Sequence, residues 1–387
     1  LQYGIVMDAG SSHTSVYIYR WPSEKDNDTG RVEEVHSCQV AGPGISSYAP
    51  APWRAGESLK ACMREAEQQV PQRRHQETSL YLGATAGMRL LSIENSSAAE
   101  EVLRAVEETL QKFPFSYQGS RTLSGQEEGA FGWVTVNYLD ERLKQVSVSC
   151  QGLETMGALD LGGASTQISF VSDRFVGSES PNNSMMFRLY GNDYNLYTHS
   201  FLCYGKDQAL RLTLALQTQV DSVMQEPRSG PPTIQDPCFH PGYEAPRDYS
   251  SLYASPCVSG RAPQDAPVSF THRGTGNFSQ CQKIVRSIFS SSSCKYSQCS
   301  FNGVFQPLLQ GKFGVMQQQQ HPGVKVKYLA AYCFSGTYII TLLTAGYNFS
   351  SESYSSIQFL KQIKGSDAGW TLGYMLNLTN MIPAEAP

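Results

Sequence analysis

The sequence predicts an α/β protein of two domains, and three observations carry this prediction. An apolar strand, an Asp-x-Gly turn, small residues and a second apolar strand occur at residues 7–19 and again at residues 159–170. With 387 residues, the chain is longer than a single hydrophobic core usually supports. Strand patterns and helix patterns alternate along the chain, which is typical of α/β domains. We therefore assign one copy of the repeated loop to each domain.

The predicted elements follow from the first residue onward. Each copy of the repeat is predicted to form a β-hairpin with the polar turn at its tip and the Asp at the base of the loop, because a polar turn separates two apolar strands. The order is a hairpin from residue 3, a helix at 56–70, a strand at 79–82, a helix at 97–113, a helix that follows 125–133 and ends near 143, a second hairpin from about 158, and helical stretches at 205–224, 328–343 and 369–381. Residues 226–280 are rich in Pro, Ser and Gly and are predicted to be irregular and tied by disulfides. The Gln317–Gln320 run is interpreted as a low-complexity connector.

Composition and charge exclude two classes of protein. Hydrophobic residues at 40% and charged residues at 17% describe a globular chain and not a disordered one. The net charge of -4 provides no basic field that could hold a nucleic acid. An anionic substrate therefore has to be held locally, by backbone N–H groups, a metal ion or a few side chains.

The cysteines and glycosylation sequons indicate an oxidising compartment outside the cytosol. The cysteines lack the paired Cys-x-x-Cys spacing of zinc sites, so we predict disulfides. The ten cysteines are Cys38, Cys62, Cys150, Cys203, Cys238, Cys257, Cys281, Cys294, Cys299 and Cys333, and the six sequons begin at Asn27, Asn95, Asn182, Asn277, Asn348 and Asn377. No apolar run reaches about 18 residues and no signal-peptide pattern opens the chain, so we interpret it as a soluble segment.

The repeated loop has the composition of a phosphate-binding site. Small residues after the Asp allow a tight turn in which successive N–H groups converge on anionic oxygens, and Ser and Thr hydroxyls add donors. A carboxylate beside a phosphate is repelled unless a cation lies between them. Asp8 and Asp160, facing a polyphosphate, therefore imply Mg²⁺ or Ca²⁺ held through water. A single copy would be read as an ordinary hairpin turn, but two matched copies favour the phosphate site.

Two further motifs have alternatives that stay open. Residues 83–87, Gly-Ala-Thr-Ala-Gly, follow a strand and precede a helix, where free N–H groups bind an anion, but a tight βα turn has the same pattern. Glu127 and Glu128 lie between glycines just ahead of a predicted helix, whose dipole would keep a carboxylate ionised. An ionised Glu near a phosphate can orient and deprotonate water. The alternative is a solvated acid pair at the start of a helix.

Five motifs, taken in order, resemble the five apyrase conserved regions of the ecto-nucleoside triphosphate diphosphohydrolases. They are Asp8–Ser15, Gly83–Arg89, Gly125–Trp133, Leu159–Gln167 and Gly369–Asn377. The resemblance spans nearly the whole chain and is closest to the vertebrate cell-surface members. It implies two RNase H-like domains of the actin, Hsp70 and hexokinase type around a nucleotide cleft. The implied lobes are residues 1–124 plus 361–387, and residues 125–360 with disulfide-tied insertions.

The resemblance also implies an activity and a location. Family members remove the γ-phosphate and then the β-phosphate of extracellular nucleoside tri- and diphosphates, with Mg²⁺ or Ca²⁺, and leave monophosphates. The implied location is the extracellular side of the plasma membrane, with anchoring in the native protein through segments absent from this sequence. No nucleic-acid partner is implied.

Residue roles follow by motif position. Glu128 would be the base that activates water, and Ser165 and Gln167 would place that water or the metal shell. Asp8 and Asp160 would hold the metal through coordinated waters. The residues that would line the phosphates are Ser11, Ser12, His13, Thr85, Ala86, Gly163 and Ala164, and those beside the nucleobase are Lys206 and Tyr328.

The resemblance implies four disulfides and leaves two cysteines over. The implied pairs are Cys38 with Cys62, Cys203 with Cys257, Cys238 with Cys281, and Cys294 with Cys299. The family partner of Cys333 lies in a long aromatic-rich segment that is shortened here, near residues 313–327, and Cys150 also remains unassigned. Because that segment supplies one wall of the base pocket, we expect weakened base contacts and retained phosphate chemistry.

Three other functions share part of this pattern. A sugar kinase or an Hsp70-like ATPase would have the doubled phosphate loops, because the fold hosts several activities. The cysteines, the sequons and the Glu128 motif favour the hydrolase over both. A module that binds nucleotide without cleaving it is the remaining alternative, and it would not need Glu128 for phosphate release.

Overall fold

The structure is a computed structural model that describes most of the chain. The described residues are 1–22, 31–143, 155–172, 176–224, 231–263, 267–289, 293–316, 330–360, 362–363 and 366–379, without the side chains of 220–224. Asn27, Cys150, the Gln317–Gln320 connector and Tyr328, which the sequence analysis singled out, lie outside these residues.

The elements alternate between strands and helices, as an α/β chain requires. The strands are β1 Gln2–Ala9, β2 Thr14–Trp21, β3 Glu33–Gln39, β4 Ser79–Ala84, β5 Ser116–Thr122, β6 Gly157–Leu161, β7 Ser165–Val171, β8 Ser184–Leu189, β9 Asn192–Leu202, β10 Thr233–Asp236, β11 Glu244–Asp248, β12 Ser269–Gly274, β13 Phe313–Met316, β14 Ile357–Leu360, β15 Gln362–Ile363 and β16 Ser366–Asp367. The helices are α1 Trp53–Gln69, α2 Ala86–Glu94, α3 Ser96–Leu110, α4 Gly125–Leu139, α5 Lys206–Met224, α6 Tyr249–Tyr253, α7 Phe278–Ser287, α8 Tyr332–Thr341, α9 Ser351–Tyr354 and α10 Trp370–Thr379.

The chain divides into two compact units. Unit 1 comprises Leu1–Leu202, Gln310–Gln318 and Ser356–Pro387, and unit 2 comprises Cys203–Leu309 and Gln319–Ser355. Unit 1 contains both large sheets and both copies of the repeat. The lobe boundary predicted between residues 124 and 125 therefore falls inside unit 1, and it stays a prediction.

The two sheets of unit 1 share a five-strand plan, to which the second sheet adds β8 at one edge. The first sheet has the order β3-β2-β1-β4-β5 and the second has the order β14-β13-β6-β7-β9-β8. In each, the repeated motif forms an antiparallel hairpin, β1 with β2 and β6 with β7, and a later strand pairs in parallel with the first strand of that hairpin. The predicted hairpins are thus confirmed, and the fold is the predicted doubled RNase H-like α/β fold.

Helix α4 begins earlier than predicted. It starts at Gly125 and is capped by the Ser124 hydroxyl in a capping box with Glu127, so Glu127 and Glu128 lie in its first turn. Three glycines among the first eight residues of the helix, Gly125, Gly129 and Gly132, lower helix propensity and hide the start from pattern analysis. The helix packs against α10, where the Gly373 N–H donates to the Thr135 hydroxyl at 2.8 Å and an added Cβ at 373 would lie 2.1 Å from the Phe131 carbonyl oxygen.

Unit 2 is more regular than the sequence predicts for residues 226–280. Three short strands form a sheet in the order β10-β12-β11, with α6 between β11 and β12 in the chain and α7 after β12. Pro246 lies on β11, an edge strand, where a missing N–H does not break the ladder. The Asp236 and His272 side chains, both buried, pair at 2.7 Å across β10 and β12. These strands have four to six residues, too few for a clear period-two pattern.

All four implied disulfides are confirmed. They join Cys38 to Cys62, Cys203 to Cys257, Cys238 to Cys281, and Cys294 to Cys299. Cys333, near the start of α8, is an exposed free thiol. Among the described residues, no helix has the length and apolar character needed to span a bilayer.

Candidate active site

Asp8 lies at the end of β1, beside the second glycine-containing loop. It pairs with Ser15 across the first hairpin and with Gly83 of the parallel strand β4, and only 6% of it is exposed. A Cβ added to Gly87 would lie 2.8 Å from the Ser11 Cα. The structure therefore brings the first repeated loop and the 83–87 loop into contact.

The predicted phosphate-lining residues of this half surround the same junction. Thr85 is buried and is the N-cap of α2, which Ala86 begins, but its side chain makes no cap bond. The Thr85 N–H donates to the Ala9 carbonyl at 3.1 Å, which ties the start of α2 to the end of β1. The Ser12 hydroxyl lies 3.0 Å from Nδ1 of His13 at a solvent-facing position.

Asp160 occupies the equivalent place in the second copy. It pairs with Gln167 across the hairpin, and the Thr166 hydroxyl donates to its carbonyl oxygen at 2.8 Å. Gly163 and Ala164, at the tip, are buried. The Asp of each copy is thus the last residue but one of the first strand of its own hairpin.

Glu128 reaches the second loop from the first turn of α4. The residue is 6% exposed, and its carboxylate Oε2 accepts hydrogen bonds from Arg89 Nη2 at 2.7 Å and from Gln167 Nε2 at 3.1 Å. Glu127, one residue earlier, turns instead to Arg121, whose two terminal nitrogens donate to its carboxylate at 3.2 and 3.0 Å. The two adjacent acids therefore have different surroundings, and only Glu128 faces the repeated loop.

A buried polar cluster surrounds the Glu128 carboxylate. Arg89 Nη2 also donates to the Ser165 hydroxyl at 3.1 Å. Gln167 Nε2 donates to the hydroxyls of Ser165 at 2.7 Å and of Ser200 at 2.9 Å. Four elements, α2, α4, β7 and β9, each contribute a side chain to this cluster.

The carboxyls of the site act on one another electrostatically. Burial raises the pKa of Glu128, while the charge and hydrogen bond of Arg89 lower it in part. Burial raises the pKa of Asp160 well above its usual range, and the negative charges of Glu128 and Asp8 raise it further. The positive charge of Arg89 lowers the pKa of Asp160 in part. Positive charge added near these three acids would therefore favour their ionised forms.

The donor set suits a hard divalent cation. Carboxylate oxygens of Asp8 and Asp160 are the ligands that Mg²⁺ and Ca²⁺ prefer. Within the described residues, no three His, Cys, Asp or Glu side chains come close enough to form a direct ligand cluster. The expected binding of the ion through coordinated waters stays a prediction.

The nucleobase contacts stay a prediction. Lys206 begins α5 in unit 2, and Tyr328 lies outside the described residues. Two residues of the cluster were missed by the sequence analysis. Arg89 ends the Gly83–Arg89 motif, and a cation directly after a predicted anion-binding loop could have been recognised as a site residue. Nothing in the sequence marks Ser200.

Comparison with known proteins gives consistent relatives. The chain matches the model of the GDA1/CD39 (nucleoside phosphatase) family at residues 1–319 and 314–387. It is 49% identical over 432 residues to ectonucleoside triphosphate diphosphohydrolase 1 of Mus musculus, covering 100% of this chain and 82% of that protein. Ectonucleoside triphosphate diphosphohydrolase 8 of Rattus norvegicus is 44% identical and ectonucleoside triphosphate diphosphohydrolase 2 of Gallus gallus is 42% identical, each covering 100% of this chain and 84% of its own length.

A solved structure has a similar fold. The sequence alignments also show that this chain lacks residues that a relative has. The crystal structure of nucleoside triphosphate hydrolases from Neospora caninum superposes with a TM-score of 0.64 at 15% identity, over 97% of this chain and 92% of that one. The 432 aligned positions with the mouse protein exceed the 387 residues of this chain, so the mouse protein has residues that this chain lacks. The two family matches meet at residues 314–319, within the region where a shortened segment is predicted.

Proposed function

The chain belongs to the GDA1/CD39 nucleoside phosphatase family, and from this premise we propose that it converts nucleoside tri- and diphosphates to monophosphates by attack of a water that Glu128 activates. Family membership makes the chain a nucleoside triphosphate diphosphohydrolase, an enzyme that hydrolyses the phosphates of nucleotides. The identity of the base, the groups that position the water, the metal ion and the extracellular location go beyond family membership, and we infer them.

The observation that carries the proposal is the environment of the Glu128 carboxylate. A general base works best when its pKa lies near the working pH. Burial raises the pKa of Glu128 toward that range, and Arg89 at 2.7 Å keeps the carboxylate available in its ionised form. One carboxylate oxygen, Oε2, accepts both the Arg89 and the Gln167 hydrogen bonds. Oε1 is the oxygen that would accept the proton of the attacking water.

The side-chain oxygen of Gln167 would accept a second hydrogen bond from the attacking water. Its Nε2 faces the Glu128 carboxylate, so the amide cannot flip without turning its own oxygen toward a negative charge. Its Oε1 is buried and has no hydrogen-bond partner among the described residues. A buried acceptor of this kind is costly unless it is satisfied in the working complex. The second proton of the nucleophilic water would satisfy it, and the nearby Ser165 hydroxyl would help to place the water.

The metal and phosphate residues complete the proposal. Asp8 and Asp160 would hold Mg²⁺ or Ca²⁺ through waters, and the ion would neutralise charge on the phosphate oxygens. The phosphates would lie along the two repeated loops and the start of α2. The residues assigned to them are Ser11, Ser12, His13, Thr85, Ala86, Gly163 and Ala164.

The chemical step needs no covalent enzyme intermediate. The water oxygen forms a bond to the terminal phosphorus as the bond from that phosphorus to the bridging oxygen breaks. The electron pair leaves on the bridging oxygen, which stays with the shortened nucleotide, and the water proton passes to Glu128. Loss of that proton to solvent restores the base. Most of the acceleration would come from positioning and from charge neutralisation.

Extracellular action is part of the proposal. Four disulfides and six sequons support an oxidising compartment, and the relatives are called ectonucleoside enzymes. The proposal assigns membrane anchoring to segments outside this sequence, at the cell surface. Lys206 and Tyr328 remain the proposed nucleobase contacts, with weaker base discrimination than in relatives that have the longer segment.

The proposal is tested by phosphate release from ATP and from ADP, with and without EDTA. We expect release from both nucleotides and its loss on chelation. The variant Glu128→Gln should lose most turnover while still binding nucleotide, because the amide keeps the size of the side chain but cannot take a proton. Glu127→Gln is the matched control and should retain turnover, since Glu127 faces Arg121.

Three outcomes would contradict parts of the proposal. Near-normal turnover by Glu128→Gln would remove the base assignment. Release from ATP but not from ADP would leave an ATPase and remove the diphosphohydrolase activity. Release that is insensitive to EDTA would remove the metal.

A further inference from the structure

Ser200 lies in a row of side chains that crosses the second sheet through the active site. Asp160 of β6 pairs with Gln167 of β7, and Gln167 pairs with Ser200 of β9. Residues paired directly across antiparallel strands project to the same face of the sheet. The row therefore places a proposed metal-site acid, the proposed water-placing amide and Ser200 side by side.

Ser200 contacts the amide and also the start of the helix that carries the base. Gln167 Nε2 donates to its hydroxyl at 2.9 Å. A Cβ added to Gly125 would lie 2.2 Å from the Ser200 Cβ, so the first residue of α4 rests directly on this side chain. Ser200 is thus the residue at which β9 meets both Gln167 and the first turn of α4.

A second row, one step along the same face, has a different role. Ser169 pairs with Thr198, and their hydroxyls lie 2.7 Å apart. A Cβ on Gly129, one helical turn after Gly125, would lie 2.6 Å from the Ser169 hydroxyl. This row supports α4 in the same way as Ser200 does, but the hydroxyls of Ser169 and Thr198 bond to each other, and that of Thr198 also donates to the Gln126 carbonyl at 3.2 Å. It provides an internal comparison for a purely structural role.

We propose that Ser200 is a positioning residue for catalysis, which holds the Gln167 amide so that its Oε1 faces the nucleophilic water. The inference rests on the proposed function of Gln167 and Glu128. Gln167 Nε2 has three acceptors, the Glu128 carboxylate and the hydroxyls of Ser165 and Ser200. Because the amide nitrogen has only two hydrogens, the three acceptors share them, and loss of the Ser200 hydroxyl removes the one acceptor on the β9 side, so that the amide turns toward Glu128 and Ser165. Substrate phosphates would be held as before, because Ser200 lies on the side of Gln167 away from Asp160 in the row.

The test is a double-mutant cycle on steady-state kinetics with ATP and Mg²⁺. Ser200→Ala in the parent protein should lower kcat about three- to tenfold, the range for losing one neutral hydrogen bond, with KM changed less than about twofold. In a Gln167→Met background, Ser200→Ala should produce no further decrease in kcat. Such non-additivity identifies a residue that acts through Gln167. Ser200→Cys, which keeps a weak acceptor of similar size, should give an intermediate kcat.

Ser169→Ala is the matched control, and thermal unfolding of every variant is recorded alongside. We expect Ser169→Ala to leave kcat unchanged, whatever small change it makes to Tm. The inference is overturned if Ser200→Ala leaves kcat unchanged, if it lowers kcat by the same factor in both backgrounds, or if Ser169→Ala lowers kcat equally. Failure of the proposed function has a separate signature, which is near-normal turnover by Glu128→Gln.

Discussion

The substitution Arg89→Met tests whether the buried charge of Glu128 depends on this arginine. Arg89 Nη2 lies 2.7 Å from Oε2, and the two side chains are 15% and 8% exposed. Removal of one partner of a buried ion pair leaves the other charge poorly solvated and costs about 3–5 kcal/mol. Methionine keeps most of the apolar stem of the arginine, so the decrease in stability reports mainly the removal of the positive charge. At about 2–4 °C of Tm for each kcal/mol in a domain of this size, the expected decrease is about 6–20 °C.

The pH dependence of this decrease identifies its cause. Burial raises the pKa of Glu128 and Arg89 lowers it, so the pKa rises further in Arg89→Met. A carboxyl whose pKa is higher in the folded than in the unfolded state gains stability from protonation, and that gain is lost as pH rises through the folded pKa. The Tm difference between the variant and the parent should therefore narrow as pH falls. Calorimetry in EDTA at about pH 8 and about pH 5 measures it.

One further substitution and one background variant separate the effect of the arginine charge on Tm from the effect of side-chain packing. Arg89→Lys keeps a positive charge but loses the fork geometry, so it should lower Tm less than Arg89→Met does. In a Glu128→Gln protein, Arg89→Met should also lower Tm less, because the carboxylate is absent, although Asp160 still senses the lost cation. An equal decrease in Tm at both pH values and in both backgrounds would refute the reasoning.

Three further outcomes are expected. Gly125→Ala should lower the free energy of unfolding by about 1–3 kcal/mol and lower kcat, because its Cβ would lie 2.2 Å from the Ser200 Cβ, and unchanged calorimetry and kinetics would contradict this. Asn95 caps α3 by accepting from the Ala98 N–H at 3.0 Å, so Asn95→Ala should lower the free energy of unfolding by about 1 kcal/mol while Asn95→Asp retains it, as denaturant titration can check. Burial raises the pKa of Glu127, but hydrogen bonds from Arg121 and Ser124 outweigh it and the net pKa is lowered. The stability that Glu127 adds, below about 1 kcal/mol at this half-exposed position, should be present at neutral pH and be lost as pH falls below its unfolded pKa, so the Tm difference to Glu127→Gln should vanish in acid.

Local patterns predicted the hairpins and the long helices of unit 1 because their causes are local. Strand alternation and a polar turn determine a hairpin within about a dozen residues. The first turn of α4 was predicted wrongly for the opposite reason. Gly125 and Gly129 are poor helix formers, and they occur in the helix because Ser200 and Ser169 of the sheet leave no room for a side chain. That requirement lies in another part of the chain and has no local signature.

The candidate site was predictable to the extent that a motif marks it. The two Asp residues and Glu128 lie in motifs whose chemistry can be argued from residue type. Arg89 lies 39 positions before Glu128 and 76 positions before Ser165 in the chain, so its contacts to them are set by tertiary structure and have no local signature. Ser200 is one serine among many in this sequence, and only the strand register shows that it lies opposite Gln167.

The two copies of the repeat have diverged in what their hydroxyl residues contact, and this difference bears on the direction of attack. In the first copy, the Ser12 hydroxyl and Nδ1 of His13 lie 3.0 Å apart at a solvent-facing loop tip. In the second copy, Ser165 and Gln167 are turned inward onto the carboxylate of Glu128 and its arginine. A polyphosphate held by the first loop would therefore present its terminal phosphorus to the second. The water would approach from the Glu128 side, in line with a leaving oxygen on the side of the first loop.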